Sequence, residues 1–424
     1  MAMASVDVAV VGRVSPLALA AASLGSMAFY SVSISIVGVL LGLDTTVSQA
    51  HGAGDRAECD RQLMAGIWLA LLLTPAAMLA VWALVPVLAW AGVDPAVLSA
   101  ARPYINALNW STPFLFLYFA LRRYIQGLHV VAPVMWTLVA ANLVNLVGNW
   151  VFVFGHLGFP ALGVTGSGWS TFVGRVFLAG CLGLVAWKLH QAPTEVSWAP
   201  DWKRIGALIR VGLPAAGQMA AEVAVFGVVT TLVARTGAAT LAGHQIALTT
   251  VSTTFMMPLG ISAAAAVRVG FGIGADDGRA AARSGWTALG LGAIAMSAAA
   301  AVLFFFPEPV ARIYSTEPAV IAGAVTILRI AAFFQLFDGL QVVATGALRG
   351  KGDTHTPMLC HFVAYWVIGL PLGAWLCFSK GLGAPGLWGG LSLALILIGI
   401  TLTLVWRRAA RQLQFDATIQ KSRG

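Results

Sequence analysis

Glu222 and Asp338 are acids set in apolar runs, and that setting is what points to chemistry in this chain. Glu222 lies in the run Ile209–Thr236 and Asp338 in the run Ala319–Ala347. At about 1.5 Å per residue, each run is long enough to cross a hydrocarbon core of roughly 30 Å. An ionisable group at that depth costs about 2.5–3.5 kcal/mol on insertion scales, a cost borne where an ion, a proton or a charged substrate is handled. Gln218 precedes Glu222 by one turn and Phe226 follows it by one, so the three share a helical face. Asp338 shares its face with Gln335, Gln341 and Thr345. The alternative for each acid is a neutral, hydrogen-bonded packing role, which serine or asparagine would fill at less cost. Asp7, in SVDVAVVGR, is a third candidate; locally it reads equally well as a working acid or as an exposed one at a helix end. Asn142, Asn145 and Asn149 recur on one face, as ligands or as hydrogen-bond glue between helices.

The elements that must position these groups are membrane helices. Of the 424 residues, 59% are hydrophobic and 10% charged, against about 25% charged in soluble domains. The apolar segments are continuous rather than alternating, which favours helices over a β-barrel. Spans are expected near 19–44, 63–91, 104–126, 133–155, 162–187, 205–235, 240–270, 284–306, 320–347, 357–379 and 385–406, with Met1–Gly12 as the stump of a further helix. The net charge of +9 reports topology. Lys and Arg concentrate at alternate loops (Arg56, Arg61, Arg122, Arg123, Lys203, Arg204, Arg279, Arg283, Arg349, Lys351) and in the tail from Arg407, roughly three-fold over the opposite side, so the C-terminus is expected in the cytoplasm. Cys59, Cys181, Cys360 and Cys377 have neither metal-binding nor disulfide-framework spacing and read as free thiols, and no signal peptide is evident.

The chain reads as two copies of one plan. Ala18–Ala22 with the loop Gly52–Asp55 has a counterpart in Thr240–Gly243 with Gly272–Asp277, and Gln126–Gly127 before Pro133 matches Arg349–Gly350 before Pro357. An offset near 220 residues implies a duplication of about six helices, as in secondary transporters. The expected organisation is an N-terminal lobe over 1–190, a cytoplasmic linker over 191–204, a C-terminal lobe over 205–408 and a tail over 409–424. The same offset leaves helix 1 short, because twelve residues span only about 18 Å. An in-frame upstream extension with a Leu-Pro pair, comparable to Leu213–Pro214, is therefore expected, or else the first half-repeat is truncated.

Several stretches together resemble the multidrug and toxic-compound extrusion (MATE) family, in its NorM-type bacterial branch. They are GLDTTVSQAHGAGD (42–55), VDVAVVGR (6–13), RRYIQGLHVVAPV (122–134), NLVNLVGNWVFVFG (142–155), LPAAGQMAAEVAVF (213–226), AGHQIAL (242–248) and FDGLQVVATGALRGKGDTHTP (337–357). The resemblance covers nearly the whole chain in order. It implies an all-α membrane protein of two six-helix lobes, exporting organic cations in exchange for protons or sodium ions by alternating access. Carried over by motif, Glu222 and Asp338 match the cation-binding pair of the second lobe, where sodium would bind if used, and Asp7 matches the first-lobe acid tied to proton coupling. Gln218, Gln341, Asn142, Asn145 and Gln245 are the expected supporting polar groups. Helix 6 lacks the family's further acid and offers Thr171 and Arg175, the arginine being either a partner for a first-lobe acid or a structural bridge.

Phe29, Tyr30, Phe226, Phe255 and Met256 are candidate walls for a lipophilic cation, each cation–π contact adding about 0.5–2 kcal/mol, with ordinary helix packing as the alternative. No cofactor, nucleotide or nucleic acid is implied: Gly270–Gly274 is not a GxGxxG fingerprint, and no P-loop, HExxH or nucleophile elbow occurs. An enzyme is not expected, and the partners are small organic cations and the bilayer of a bacterial inner membrane, with the chain a monomer. His244 reads as a core histidine bonded to a backbone carbonyl rather than a proton relay. The alternatives are a flippase for an anionic lipid-linked precursor, which calls for arginines rather than acids inside, and a truncated non-functional relic.

Overall fold

A computed structural model describes residues 2–190 and 199–423. Within it the expected linker is covered only from residue 199, and residues 191–198 lie outside the described residues. The first helices are α1 (Ala2–Val11), α2 (Pro16–Val37), which runs through a 3-10 turn into α3 (Gly42–Gly52), and α4 (Arg56–Trp90). Next come α5 (Pro95–Trp110), α6 (Thr112–Gly127), α7 (Ala132–Phe154) and α8 (Val164–Leu189). The second half holds α9 (Trp202–Ala234), α10 (Ala238–Gly274), α11 (Gly278–Phe305), the short α12 (Pro307–Arg312) and α13 (Pro318–Lys351). It closes with α14 (His355–Phe362), α15 (Leu370–Ala374) and α16 (Ala384–Arg423). Among the described residues ten helical segments are long and apolar enough to cross a membrane. This is a multi-pass, all-α membrane protein.

The chain forms two compact units, Met1–Val47 with Asp55–Ala216, and Ser48–Gly54 with Gly217–Gly424. The duplication is visible in the helix starts. Pro16 and Ala238 differ by 222, as do Arg56 and Gly278, while Pro95 and Pro318 differ by 223, as do Ala132 and His355. Even the caps repeat. Asp55 accepts from the Glu58 amide at 2.8 Å and Asp277 from the Ala280 amide at 2.9 Å, each satisfying an orphan donor at a helix start. The turn before each cap needs a left-handed residue, supplied by Gly54 in the first half of the chain (φ 75°) and Asp276 in the second (φ 53°).

The structure departs from expectation at the third span, 104–126, which is two helices meeting at Ser111. Pro113 has no N–H to offer the Asn109 carbonyl, so the ladder must break there. The Ser111 hydroxyl donates to the Leu108 carbonyl and accepts from Arg175 Nη1, which fixes the break in place. The span His355–Ser379 carries a different irregularity, with π-type turns at Val363–Gly369 and Trp375–Ser379 on either side of α15. The wide first turn sits just before Pro371 and contains the buried Tyr365.

In the second unit α13 is the central element and carries Asp338. Its closest neighbour is α10, and small residues allow the approach. A Cβ on Gly346 would lie 2.3 Å from the Ser262 carbonyl oxygen, and one on Gly350 2.4 Å from that of Ala266. Both obstacles are backbone and cannot yield. Gly346→Leu is therefore expected to destabilise the unit by more than the usual overpacking cost of about 1–3 kcal/mol. Thermal unfolding of the solubilised protein checks this, with Gly323→Ala, where an added methyl meets nothing within 4 Å, as the unchanged control.

Candidate functional site

In the second unit α9 presents Glu222 and α13 presents Asp338, and the two carboxyls lie within electrostatic reach of each other. Glu222 is partly buried, and among the described residues it makes no hydrogen bond or ion pair. Asp338 is buried and accepts from Gln341 Nε2 at 3.1 Å. Gln341 in turn meets His361 Nε2 at 2.6 Å, and Gln218 meets the same nitrogen at 3.2 Å. The hydroxyl of Tyr365, on the wide turn after α14, is buried without a hydrogen-bond partner and feels both carboxyls. Phe226 stacks edge-on to the Tyr365 ring at 6.3 Å between centroids. Gln335, one turn before Asp338, donates to Thr254 Oγ1 at 2.7 Å. Two acids, an aromatic pair and an amide–imidazole cluster thus converge, with no Lys or Arg paired to either acid among the described residues. Such a site suits a mobile cation.

In the first unit Asp7 is buried and every contact to it is a donor. Thr171 Oγ1 lies 2.6 Å from Oδ2, and Asn149 and Asn145 Nδ2 lie 2.7 and 3.1 Å from Oδ1. Donors on a carboxyl complement its ionised form. The Oδ1 atoms of Asn145 and Asn149 are buried and unpartnered, leaving carbonyl oxygens to spare beside the carboxylate. Asn142 does not join them. Its amide turns back to the Leu138 carbonyl at 2.7 Å, so only the second and third members of the asparagine stripe reach Asp7.

The expected aromatic walls divide. Phe29 is fully buried in the core of the first unit, and the Arg175 guanidinium carbon sits 4.6 Å above its ring and 5.8 Å from that of Tyr30. Arg175 Nη1 also donates to Ser111 Oγ at 2.6 Å and Nη2 to the Tyr30 hydroxyl at 3.3 Å. The protein's own cation therefore occupies this aromatic face, and Arg175 ties α8 to α2 and to the α5–α6 break. Phe255 packs partly buried against the second unit's core, while Met256 and Gln245 are exposed on α10 and away from the acids' hydrogen-bond network. His244 is a locked core histidine, held by side chains where a carbonyl was expected. Trp388 Nε1 donates to its Nδ1 at 3.0 Å, and Nε2 meets Thr230 Oγ1 at 2.9 Å. Since Thr230 gives its own proton to the Phe226 carbonyl, His244 must donate from Nε2. His361 and Tyr365 had no assigned role from sequence. Testing every polar side chain on an apolar helix for a buried partner is the signal that would have found them.

Among the described residues no group of three or more His, Cys, Asp or Glu side chains is placed to hold a metal ion. The family model MatE matches residues 1–151 and 214–375. A "Probable multidrug resistance protein NorM" of Mesorhizobium japonicum is 35% identical, covering 97% of this chain and 90% of the relative. The "Multidrug resistance protein PmpM" of Pseudomonas aeruginosa is 36% identical, covering 97% and 88%. A NorM relative from Deinococcus radiodurans is 38% identical, covering 95% and 90%. Among solved structures, the eukaryotic MATE transporter AtDTX14 superposes with a TM-score of 0.87 at 22% identity, over 98% of this chain and 94% of that one, which establishes a shared fold.

Proposed function

The chain belongs to the MatE family of transporters, and from that premise we propose that it exports organic cations across the bacterial inner membrane in exchange for protons or sodium ions. The observation that carries this reading is the Glu222–Asp338 pair, two acids in one unit without a Lys or Arg counter-charge among the described residues. Buried charge of one sign invites a mobile partner of the other. An organic cation would be held by the acids and by the aromatic faces of Phe226 and Tyr365, with cation–π contacts adding about 0.5–2 kcal/mol each. A coupling ion competes for the same charge, so loading the ion weakens the cation's hold and the exchange runs down the ion gradient. Asp7, with Thr171, Asn145 and Asn149 around it, is the proposed ion-handling group of the first unit. Gradients alone drive the cycle, and no nucleotide enters it. The cytoplasmic placement of the C-terminus, read from the Lys/Arg asymmetry, belongs to the same proposal.

The test is uptake of a fluorescent cation such as ethidium into everted vesicles, with a proton or a sodium gradient imposed separately. Uptake driven by one gradient and abolished by its ionophore is the expected result. Vesicles holding abundant protein but showing no uptake under either gradient would sink the proposal.

A further inference from the structure

His361 is fully buried on α14, and its ring contacts define its protons almost completely. Nδ1 lies 2.7 Å from the Pro357 carbonyl, which can only accept, so Nδ1 carries a hydrogen. Nε2 lies 2.6 Å from Gln341 Oε1, while the other terminus of that amide, Nε2, faces Asp338 Oδ1 at 3.1 Å. An amide has one donating and one accepting end. If the donating end serves an ionised Asp338, the accepting end faces His361, and a 2.6 Å approach then needs a second proton on the ring. With both His361 and Asp338 deprotonated, Gln341 must set lone pair against lone pair at one end or the other.

We propose that His361 is a proton-binding site of the second unit: its imidazolium, joined to ionised Asp338 through Gln341, is the counter-charge that an incoming organic cation displaces. The inference deepens the antiport reading above and rests on it for the identity of the displacing cation. The charges balance in each state. Without substrate, the imidazolium and the Asp338 carboxylate cancel. When the cation arrives beside Asp338, His361 releases its Nε2 proton to solvent and keeps the one on Nδ1. The Gln341 amide turns by half a rotation, so its N–H bonds donate to the bare Nε2 and its oxygen faces the bound cation. No proton passes through the amide. Gln218 presents its amide nitrogen to Nε2 at 3.2 Å, the orientation that serves the neutral ring, and turns its oxygen toward the ring in the charged state.

Acidic groups lie on the elements around His361. The titratable groups facing the cluster are Glu222 on α9, Asp338 on α13, Tyr365 with its ring centroid 6.0 Å from that of His361, and Cys360 on the same helix as the histidine. From α16, the segment Ala384–Val405 offers no Asp, Glu, Lys, Arg or His. Two acids therefore face one group able to become a cation.

The test is nitrogen NMR of the full-length protein, labelled with ¹⁵N-histidine and held in nanodiscs, with the His361 resonance identified by its loss in His361→Asn. Unligated wild type at neutral pH is expected to show His361 with both nitrogens protonated. Saturating tetraphenylphosphonium should convert it to the neutral form protonated on Nδ1, and so should Asp338→Asn or Gln341→Leu without any cation. Tetraphenylphosphonium affinity should fall roughly ten-fold from alkaline to acidic pH in wild type, a coupling of ordinary size, and His361→Asn should flatten that dependence. A neutral His361 in the unligated protein, or an imidazolium indifferent to Asp338→Asn, overturns the proposal while leaving antiport standing. Failure of tetraphenylphosphonium to bind counts against the antiport reading instead, and the unligated spectra still decide the protonation of His361.

Discussion

Glu222→Gln and Asp338→Asn are each expected to abolish gradient-driven cation efflux while leaving the protein inserted and folded. The two halves of that expectation have different physical sources. Insertion is eased, because a neutral amide at the depth of a buried acid removes about 2.5–3.5 kcal/mol of unfavourable transfer. Binding is weakened, because truncating one partner of a buried charge pair costs about 2–5 kcal/mol, which is roughly a thirty- to five-thousand-fold loss of affinity. The two variants should differ in their side effects. Glu222 makes no hydrogen bond among the described residues, so its amide disturbs nothing nearby. Asp338 accepts from Gln341, so Asp338→Asn also turns that amide and alters the contact to His361. Ethidium efflux at matched membrane levels is the measurement, and wild-type rates in both variants would remove the pair from the mechanism.

Period and composition made the larger part of this molecule legible. Continuous apolar runs give helices whose caps and turns recur at a constant offset, and Asp55 and Asp277 stand in equivalent caps. Faces were legible too: Gln341 does sit on the Asp338 side of α13, and Gln218 joins the same cluster. The sector of each helix that meets protein was not legible. Helical phase groups residues without saying what each face looks at, so Phe29 is sealed in a core while Met256 and Gln245 are exposed. Nor did phase forbid Asn142 from bonding back to its own turn. The break at Ser111 was hidden because hydrophobicity runs unbroken across it. Only Pro113 marked the place.

The duplication also shows where fold and chemistry part. At the offset of 223 given by Pro95 and Pro318, Asp338 corresponds to Leu115, His361 to Leu138, and Asn145 to Ile368, while at the offset of 222 given by Pro16 and Ala238 Asp7 corresponds to Val229. The helices and their caps repeat, and these buried polar residues do not. Under the proposed function each unit therefore contributes its own polar cluster on a common frame, and the two clusters differ in chemistry. The second unit offers two acids with aromatic rings, a combination chemically matched to an organic cation. The first offers one acid ringed by hydroxyl and amide groups at 2.6 to 3.1 Å, a setting matched to something small.

That difference yields the second large effect. Asp7→Asn is expected to stop coupled efflux and leave tetraphenylphosphonium binding at the second unit within a few-fold of wild type. Asparagine keeps the shape of the side chain and can still accept from Thr171 through its oxygen. Its amide end, however, must face Asn145 and Asn149, both of which already donate there. Two donor-to-donor contacts, relieved by turning Asn145 and Asn149, whose Oδ1 atoms are unpartnered, make this a mild structural change. Asp7→Leu is the harsher variant. It strands three buried donors, each costing about 1–3 kcal/mol, and the first unit should lose stability accordingly. Comparing the two separates charge from packing. If coupling depends on the Asp7 charge, both variants stop efflux but only Asp7→Leu lowers the melting temperature. Efflux retained in Asp7→Asn and lost in Asp7→Leu would mean that Asp7 serves as a hydrogen-bond acceptor in the packing of α1 against α7 and α8, with the coupling ion handled wholly by the second unit.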